Sequence, residues 1–201
     1  MHAAAAGPDG KLRCQWCLGA PEFLPYHDAE WGYPVVEDRR LFEKISLEGF
    51  QSGLSWRTIL NKRARFREVF AGFDFVKVAR FGERDVERLL GDAGIVRHRG
   101  KIEAVIHNAA RAQEMVRAEG SLAAFFWRHE PAGKSAGSAA AAGQAAAAAL
   151  SKELKRRDWK FVGPTTVYAF MQAMGLVNDH APDCIIHKRV ARARKAFRPP
   201  S

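Results

Sequence analysis

The sequence predicts an all-α protein. Apolar residues recur at helical spacing in several separate stretches, capping and stopping residues bound those stretches, and neither a βαβ alternation nor a nucleotide-binding glycine pattern occurs. With 201 residues the chain supports one substantial core, or two small lobes sharing one, and 47% hydrophobic residues suffice to fill it. A formal net charge of +10 makes a polyanion the expected partner. The longest uncharged run, residues 135–151, is mostly Ala and Gly and falls short of the roughly 20 apolar residues of a membrane span, so no membrane association is expected. Three cysteines, an odd number, argue against a disulfide framework and for a reducing compartment, which makes the cytoplasm the default location.

In chain order, residues 1–11 read as a disordered leader, 12–187 as a single α-helical domain of two lobes, and 188–201 as a basic tail. From Arg13 to Gly32 the chain is crowded with aromatics, His and Cys but has little periodicity, and is expected to lie as an irregular arm over the core. Asp38 is positioned to N-cap a helix in which Leu41, Phe42 and Ile45 recur. At roughly 100° per residue, Glu48 falls in the middle of that apolar stripe. Either a neighbouring Arg pairs with this carboxylate, or it faces a cavity and awaits a ligand. Gly49 and Gly53 leave space beside it and Trp56 closes the stretch, a composition suited to a flat cationic ligand.

Ser55 caps the next helix, carrying Ile59, Arg63, Phe66 and Phe70. Short helical turns follow Asp74 and surround Val86, Leu89 and Leu90. The basic link from Gly94 to Lys101 leads into the clearest helix, which aligns Ile102, Val105, Ile106, Ala109 and Val116 and stops at Gly120. Ser121 starts another helix. The Ala/Gly-rich stretch of about 132–145 is expected to be a mobile loop whose last alanines join a basic helix through Leu150, Leu154 and Arg157. Pro164 then opens a helix that ends at Gly175.

Three constellations carry chemistry. Between Lys152 and Gly175, a basic helix, a short Gly-containing turn and a second helix resemble the helix-hairpin-helix element of DNA repair enzymes. There, Gly163 and Thr165 with Lys160 would present amides and charge to a phosphate; an ordinary αα-hairpin explains the same pattern. Near the two ends stand metal-type ligands, Cys14, Cys17 and His27 early and His180 and Cys184 late, open to reading as a zinc site, a Cys-x-x-Cys pair or unligated core groups. Trp16, Phe23, Tyr26, Trp31 and Trp56 form the aromatic set around Glu48.

Six segments are similar to the type I 3-methyladenine DNA glycosylases and follow the family's order: Arg13 to Trp16, Tyr26 to Gly32, Leu47 to Trp56, Asp92 to Ile102, Phe161 to Gly163 and Met171 to His180. The resemblance spans about residues 12–184. It implies a helix-hairpin-helix enzyme that hydrolyses the N-glycosidic bond of 3-methyladenine in alkylated double-stranded DNA, acting as a monomer and carrying one structural zinc. By the same resemblance Cys14, His27, His180 and Cys184 would be the zinc ligands, with Cys17 left out. Glu48 would be the catalytic carboxylate, Glu48 and Tyr26 would contact the edge of the flipped base, Trp56 would stack on it, and Trp16 and Trp31 would build the wall. Asp179 would have a supporting role. Phe23, Ala169 and Asp183 depart from the family pattern. A damaged-DNA-binding protein without activity is the alternative from another class, and a zinc-stabilised RNA-binding module a third.

Overall fold

The computed structural model describes residues 3–131 and 139–200. It is mostly helical, with one addition to the expected class. Strands β1 (Ala4–Ala6) and β2 (Leu12–Cys14) pair antiparallel, Ala4 opposite Cys14. Residues 4–6 of the expected disordered leader are therefore ordered. The turn at Asp9 and Gly10 is anchored by Arg13, whose guanidinium bonds both Asp9 (2.6 Å) and Asp28 (2.9 Å).

A 3₁₀ turn, Gln15–Gly19, leads to α1 (Phe23–Ala29). There follow α2 (Asp38–Gln51), α3 (Trp56–Val69), α4 (Phe75–Val78), α5 (Glu83–Leu90), α6 (Arg99–Glu119), α7 (Leu122–Trp127), α8 (Ala139–Arg156), α9 (Pro164–Ala173) and α10 (His187–Ala196). Several boundaries follow from the capping residues named above. Ser55 Oγ accepts from the Thr58 amide, Asp74 from those of Val76 and Lys77, and Ser121 from that of Ala124, while Gly120 ends α6 at φ +85°. Asp38 does not cap its own helix. Glu37 is the N-cap of α2, and Asp38 reaches across to accept the Ala123 amide in the first turn of α7.

The Ala-rich stretch also differs from expectation. Residues 139–145 belong to α8, because alanine is the strongest helix former and Ala147, Leu150 and Leu154 give the helix a buried face; residues 132–138 of that expected loop lie outside the described residues. The basic tail carries most of α10 and docks on the domain: Val190 is buried, Arg194 pairs with Glu130 at 2.6 Å, and the ring of Phe197 lies 4.3 Å from that of Trp127. Among the described residues, no helix is long and apolar enough to cross a membrane.

Helix α2 runs through the middle, packed on α3, α6, α7 and α9. Leu41, Phe42, Ile45, Leu47 and Phe50 are buried, but so are Lys44, Ser46, Glu48 and Gly49, so the helix is enclosed all round over its second half. Its C-terminal carbonyls are covered by Lys101, buried in the first turn of α6, whose Nζ donates to the carbonyls of Phe50 (2.9 Å) and Ser52 (2.5 Å). Lys101 belongs to the basic link, yet its charge is spent inside the fold. Replacing Lys101 by Met should lower stability by about 1–3 kcal/mol, because two helix-end carbonyls lose their donor; chemical denaturation of the two proteins measures it.

Candidate functional site

Tyr26 and His27 are adjacent on α1 and serve different sites. Tyr26 faces α2 and helps enclose a cavity of about 170 Å³, lined also by Trp16, Trp31, Lys44, Glu48, Gln51, Trp56, Ala169 and Gln172. A cavity of about 150 Å³ accepts a benzene ring, so this one suits a single flat heterocycle. Trp16 meets Trp31 edge-on at 5.2 Å between ring centres, and Tyr26 tilts against Trp56 at 5.4 Å. Phe23 backs Trp16 at 5.8 Å. The Trp56 indole N–H is buried with no acceptor among the described residues, an uncommon state for a buried donor.

The sequence left Glu48 either paired with an arginine or facing a cavity. It is both paired and cavity-lining, and its partner is a lysine. Lys44, one turn earlier on α2, places Nζ 2.6 Å from Glu48 Oε1, donates to the Tyr26 hydroxyl at 2.8 Å, and lies 3.4 Å above the Trp56 ring. Burial lowers the pKa of Lys44, and the Glu48 charge opposes that shift. Burial, together with Glu48, raises that of Tyr26 well above the ordinary phenol value.

Gly49 in α2 and Gly53 just after it have other reasons than space for a ligand. A Cβ on Gly49 would come within 3.3 Å of the Phe161 side chain, so this glycine admits the turn between α8 and α9. Gly53 has φ +78° and open surroundings, and serves the turn after α2.

A ring of ion pairs and hydrogen bonds supports the cavity. Arg63 holds Glu30 with two bonds of 2.7 and 2.8 Å, and Arg67 holds Glu43. On the α9 side, Gln172 donates to Asp179 at 2.9 Å, and the Tyr168 hydroxyl donates to the same carboxylate. Asp179 does not line the cavity; it fixes Gln172, which does. Lys44, Gln51 and Gln172 were not singled out in the sequence. The i,i+4 spacing of Lys44 and Glu48 was the available signal for the first of them.

His27 points away from the cavity's interior, behind Trp16 and Trp31, and meets the C-terminal segment. The ligand atoms of Cys14, His27, His180 and Cys184 all lie within 4.8 Å of one another, and all four residues are buried. Cys184 Sγ is 3.6 Å from His27 Nε2 and 3.7 Å from His180 Nδ1, Cys14 Sγ is 3.7 Å from His180 Nδ1, and the two nitrogens are 3.1 Å apart. A tetrahedral zinc with bonds of about 2.3 Å to S and 2.0 Å to N separates S from N by about 3.5 Å and N from N by about 3.3 Å, so the cluster has dimensions that fit such an ion. The outer ring nitrogens are already engaged: His27 Nδ1 with Asp28 at 2.7 Å, and His180 Nε2 with the Trp31 carbonyl at 3.0 Å. These acceptors direct both imidazole lone pairs inward, as in metal sites supported by outer hydrogen bonds. Burial lowers the pKa of His27 and takes that of His180 to about 4, so both rings are neutral donors, while it pushes Cys14 up to about 12. A cation would displace the thiol protons. Cys17 is buried but outside the four, and Asp183 is exposed.

Lys160, Gly163 and Thr165 are not brought to the cavity. They stand at the turn between α8 and α9, where Lys160 pairs with Asp158 at 2.5 Å and its backbone is held at both N and O by Asn108. Gly163 is the N-cap of α9 and has φ −63°, open to any residue, and a Cβ there would meet nothing within 4 Å.

A model of the family described as methyladenine glycosylase matches residues 16–188. The chain belongs to the methyladenine glycosylase family. It is 49% identical over 177 residues to DNA-3-methyladenine glycosylase 1 of Escherichia coli strain K12, covering 86% of this chain and 95% of that protein. Its fold is similar to the crystal structure of a 3-methyladenine DNA glycosylase I, with TM-score 0.78, 47% identity, and 87% and 99% of the two chains covered. It is also similar to a Staphylococcus aureus 3-methyladenine DNA glycosylase I whose structure concerns recognition of 3-methyladenine, with TM-score 0.75, 35% identity, and 83% and 92% covered. Within this methyladenine glycosylase, the matched span holds every residue of the aromatic cavity and three of the four clustered metal-type ligands, Cys14 lying just before it.

Proposed function

We propose that this protein is a monofunctional DNA glycosylase that hydrolyses the N-glycosidic bond of 3-methyladenine in alkylated double-stranded DNA and leaves an abasic site. The observation that carries this reading is Glu48, a carboxylate set into an aromatic cavity of single-base size between Tyr26 and Trp56. 3-Methyladenine joined to the sugar is a cation. An anion and an electron-rich indole face select it over neutral adenine, each cation-π contact contributing roughly 0.5–2 kcal/mol. The base departs as a neutral molecule with the electron pair of the glycosidic bond, water supplies the hydroxyl at the sugar carbon, and its proton goes to solvent. The leaving group is already activated, so the protein's work is extrusion, selection and orientation. Extrusion costs a few kcal/mol, offset by stacking and phosphate contacts. The relatives' name, DNA-3-methyladenine glycosylase, accords with this reading.

The turn between α8 and α9 acts as a helix-hairpin-helix contact to the DNA backbone. Neither conformation nor internal packing requires glycine at position 163, so its bare backbone suits an approach from outside, at the N-terminus of α9. One zinc ion per chain is held by Cys14, His27, His180 and Cys184. Zinc there joins the first and last segments of the domain and supplies structural rather than reactive chemistry.

Methylated duplex DNA incubated with the protein should release free 3-methyladenine without strand cleavage, and Glu48→Gln should slow release by about two orders of magnitude; retention of the base in the DNA would overturn the proposal. Elemental analysis should find one zinc in the purified chain and in Cys17→Ser, and none in Cys14→Ser. Gly163→Ala should leave the melting temperature unchanged while weakening duplex binding about tenfold by titration, since a methyl group there meets only the approaching backbone.

A further inference from the structure

A cavity suited to a cation already contains one. The Lys44 ammonium has Glu48 at 2.6 Å, the Tyr26 hydroxyl at 2.8 Å and the Trp56 face at 3.4 Å, the same carboxylate and ring assigned above to a charged base. With Lys44 still charged, an entering cationic base would share one carboxylate with a second positive charge in a water-poor site. Among the described residues beside it, the ammonium has no free anion to move to. On its own helix Glu43 is engaged by Arg67; beyond α1, Glu30 is engaged by Arg63. The space on that side, about 20 Å³, is bounded further by Arg40, Arg63 and Arg67, all cations, and by Ala173 and Met174 at the end of α9.

We propose that Lys44 is the resident cation of the base site and becomes a neutral amine when a positively charged base takes its place beside Glu48 and over Trp56, so that base entry releases a proton to solvent. One N–H bond of the ammonium breaks, its electron pair stays on Nζ, and the net charge of the site is conserved. Burial already weakens that proton's hold. The neutral amine then offers a lone pair to a donor on the base. A neutral base brings no charge to exchange, leaves Lys44 paired with Glu48, and binds more weakly. Lys44 thus acts as a specificity determinant through exchange of charge rather than through shape. The inference rests on the glycosylase reading given above.

Isothermal titration of the full chain with the 3,9-dimethyladeninium cation tests it, the 9-methyl group standing for the sugar carbon. In buffers of different ionisation enthalpy near neutral pH, the unsubstituted protein should release about one proton per cation bound. Lys44→Arg, whose guanidinium keeps its proton and its pairing with Glu48, should release none. Lys44→Arg, which retains a charge it cannot shed, should bind the cation about tenfold or more weakly while binding neutral 9-methyladenine with little change. The proposal is overturned by binding enthalpies of the unsubstituted protein that do not depend on buffer, by proton release that persists in Lys44→Arg, or by Lys44→Arg losses equal for the cation and the neutral base. Should the unsubstituted protein neither bind the cation nor free 3-methyladenine from methylated DNA, the glycosylase reading itself fails. Should it do both without releasing a proton, only the role of Lys44 fails.

Discussion

The enclosure of α2 on every side from Lys44 to Phe50 is the constraint on which the rest of this structure depends. A helix buried all round must satisfy its charges and its terminal carbonyls inside the protein. Lys44 and Glu48 answer the first demand by pairing along one face, and Lys101 answers the second from α6. Breaking a buried pair by removing one member is costly, on the order of 3–5 kcal/mol, whereas exchanging one cation for another is not. The same burial that makes Glu48 expensive therefore makes it selective, because only a ligand that supplies a charge can replace Lys44.

The second organising feature lies where the ends of the chain meet. The arm from Arg13 to Gly32 has little periodic apolar pattern and is held instead by specific contacts. Arg13 bridges Asp9 and Asp28, Asp28 orients His27, and the Trp31 carbonyl orients His180. The arm also supplies Trp16, Tyr26 and Trp31 to the cavity. Since His27 and Tyr26 are neighbours on α1, whatever fixes the Cys/His cluster also fixes one wall of the base site. Stability and recognition are coupled through a single turn of helix.

The residues legible in the sequence were those whose chemistry conflicts with their expected surroundings. Glu48 stood out as an acid in an apolar stripe, Trp56 as an aromatic closing a glycine-containing segment, and Cys14, Cys17, His27, His180 and Cys184 as metal-type ligands at two distant places, from which only the family resemblance left Cys17 out. The caps Ser55, Asp74, Gly120 and Ser121 were legible because capping is local. Asp38 was misassigned to its own helix because its acceptor role crosses to α7, a contact no local rule contains. The expected disordered leader was likewise misread, since the order of Ala4–Ala6 comes from pairing with β2. Gly49 was read as room for a ligand, and is room for Phe161.

By itself the sequence determined the helical class, the family, and the residue types of the cavity and of the Cys/His cluster, because periodicity, capping and motif order are properties of a linear chain. Only the tertiary structure decided what fills the space around Glu48. Lys44 reads in sequence as one more lysine on a helix, and becomes the counter-ion of the site only when α1, α3 and α9 close over it and exclude the water that would otherwise solvate its charge.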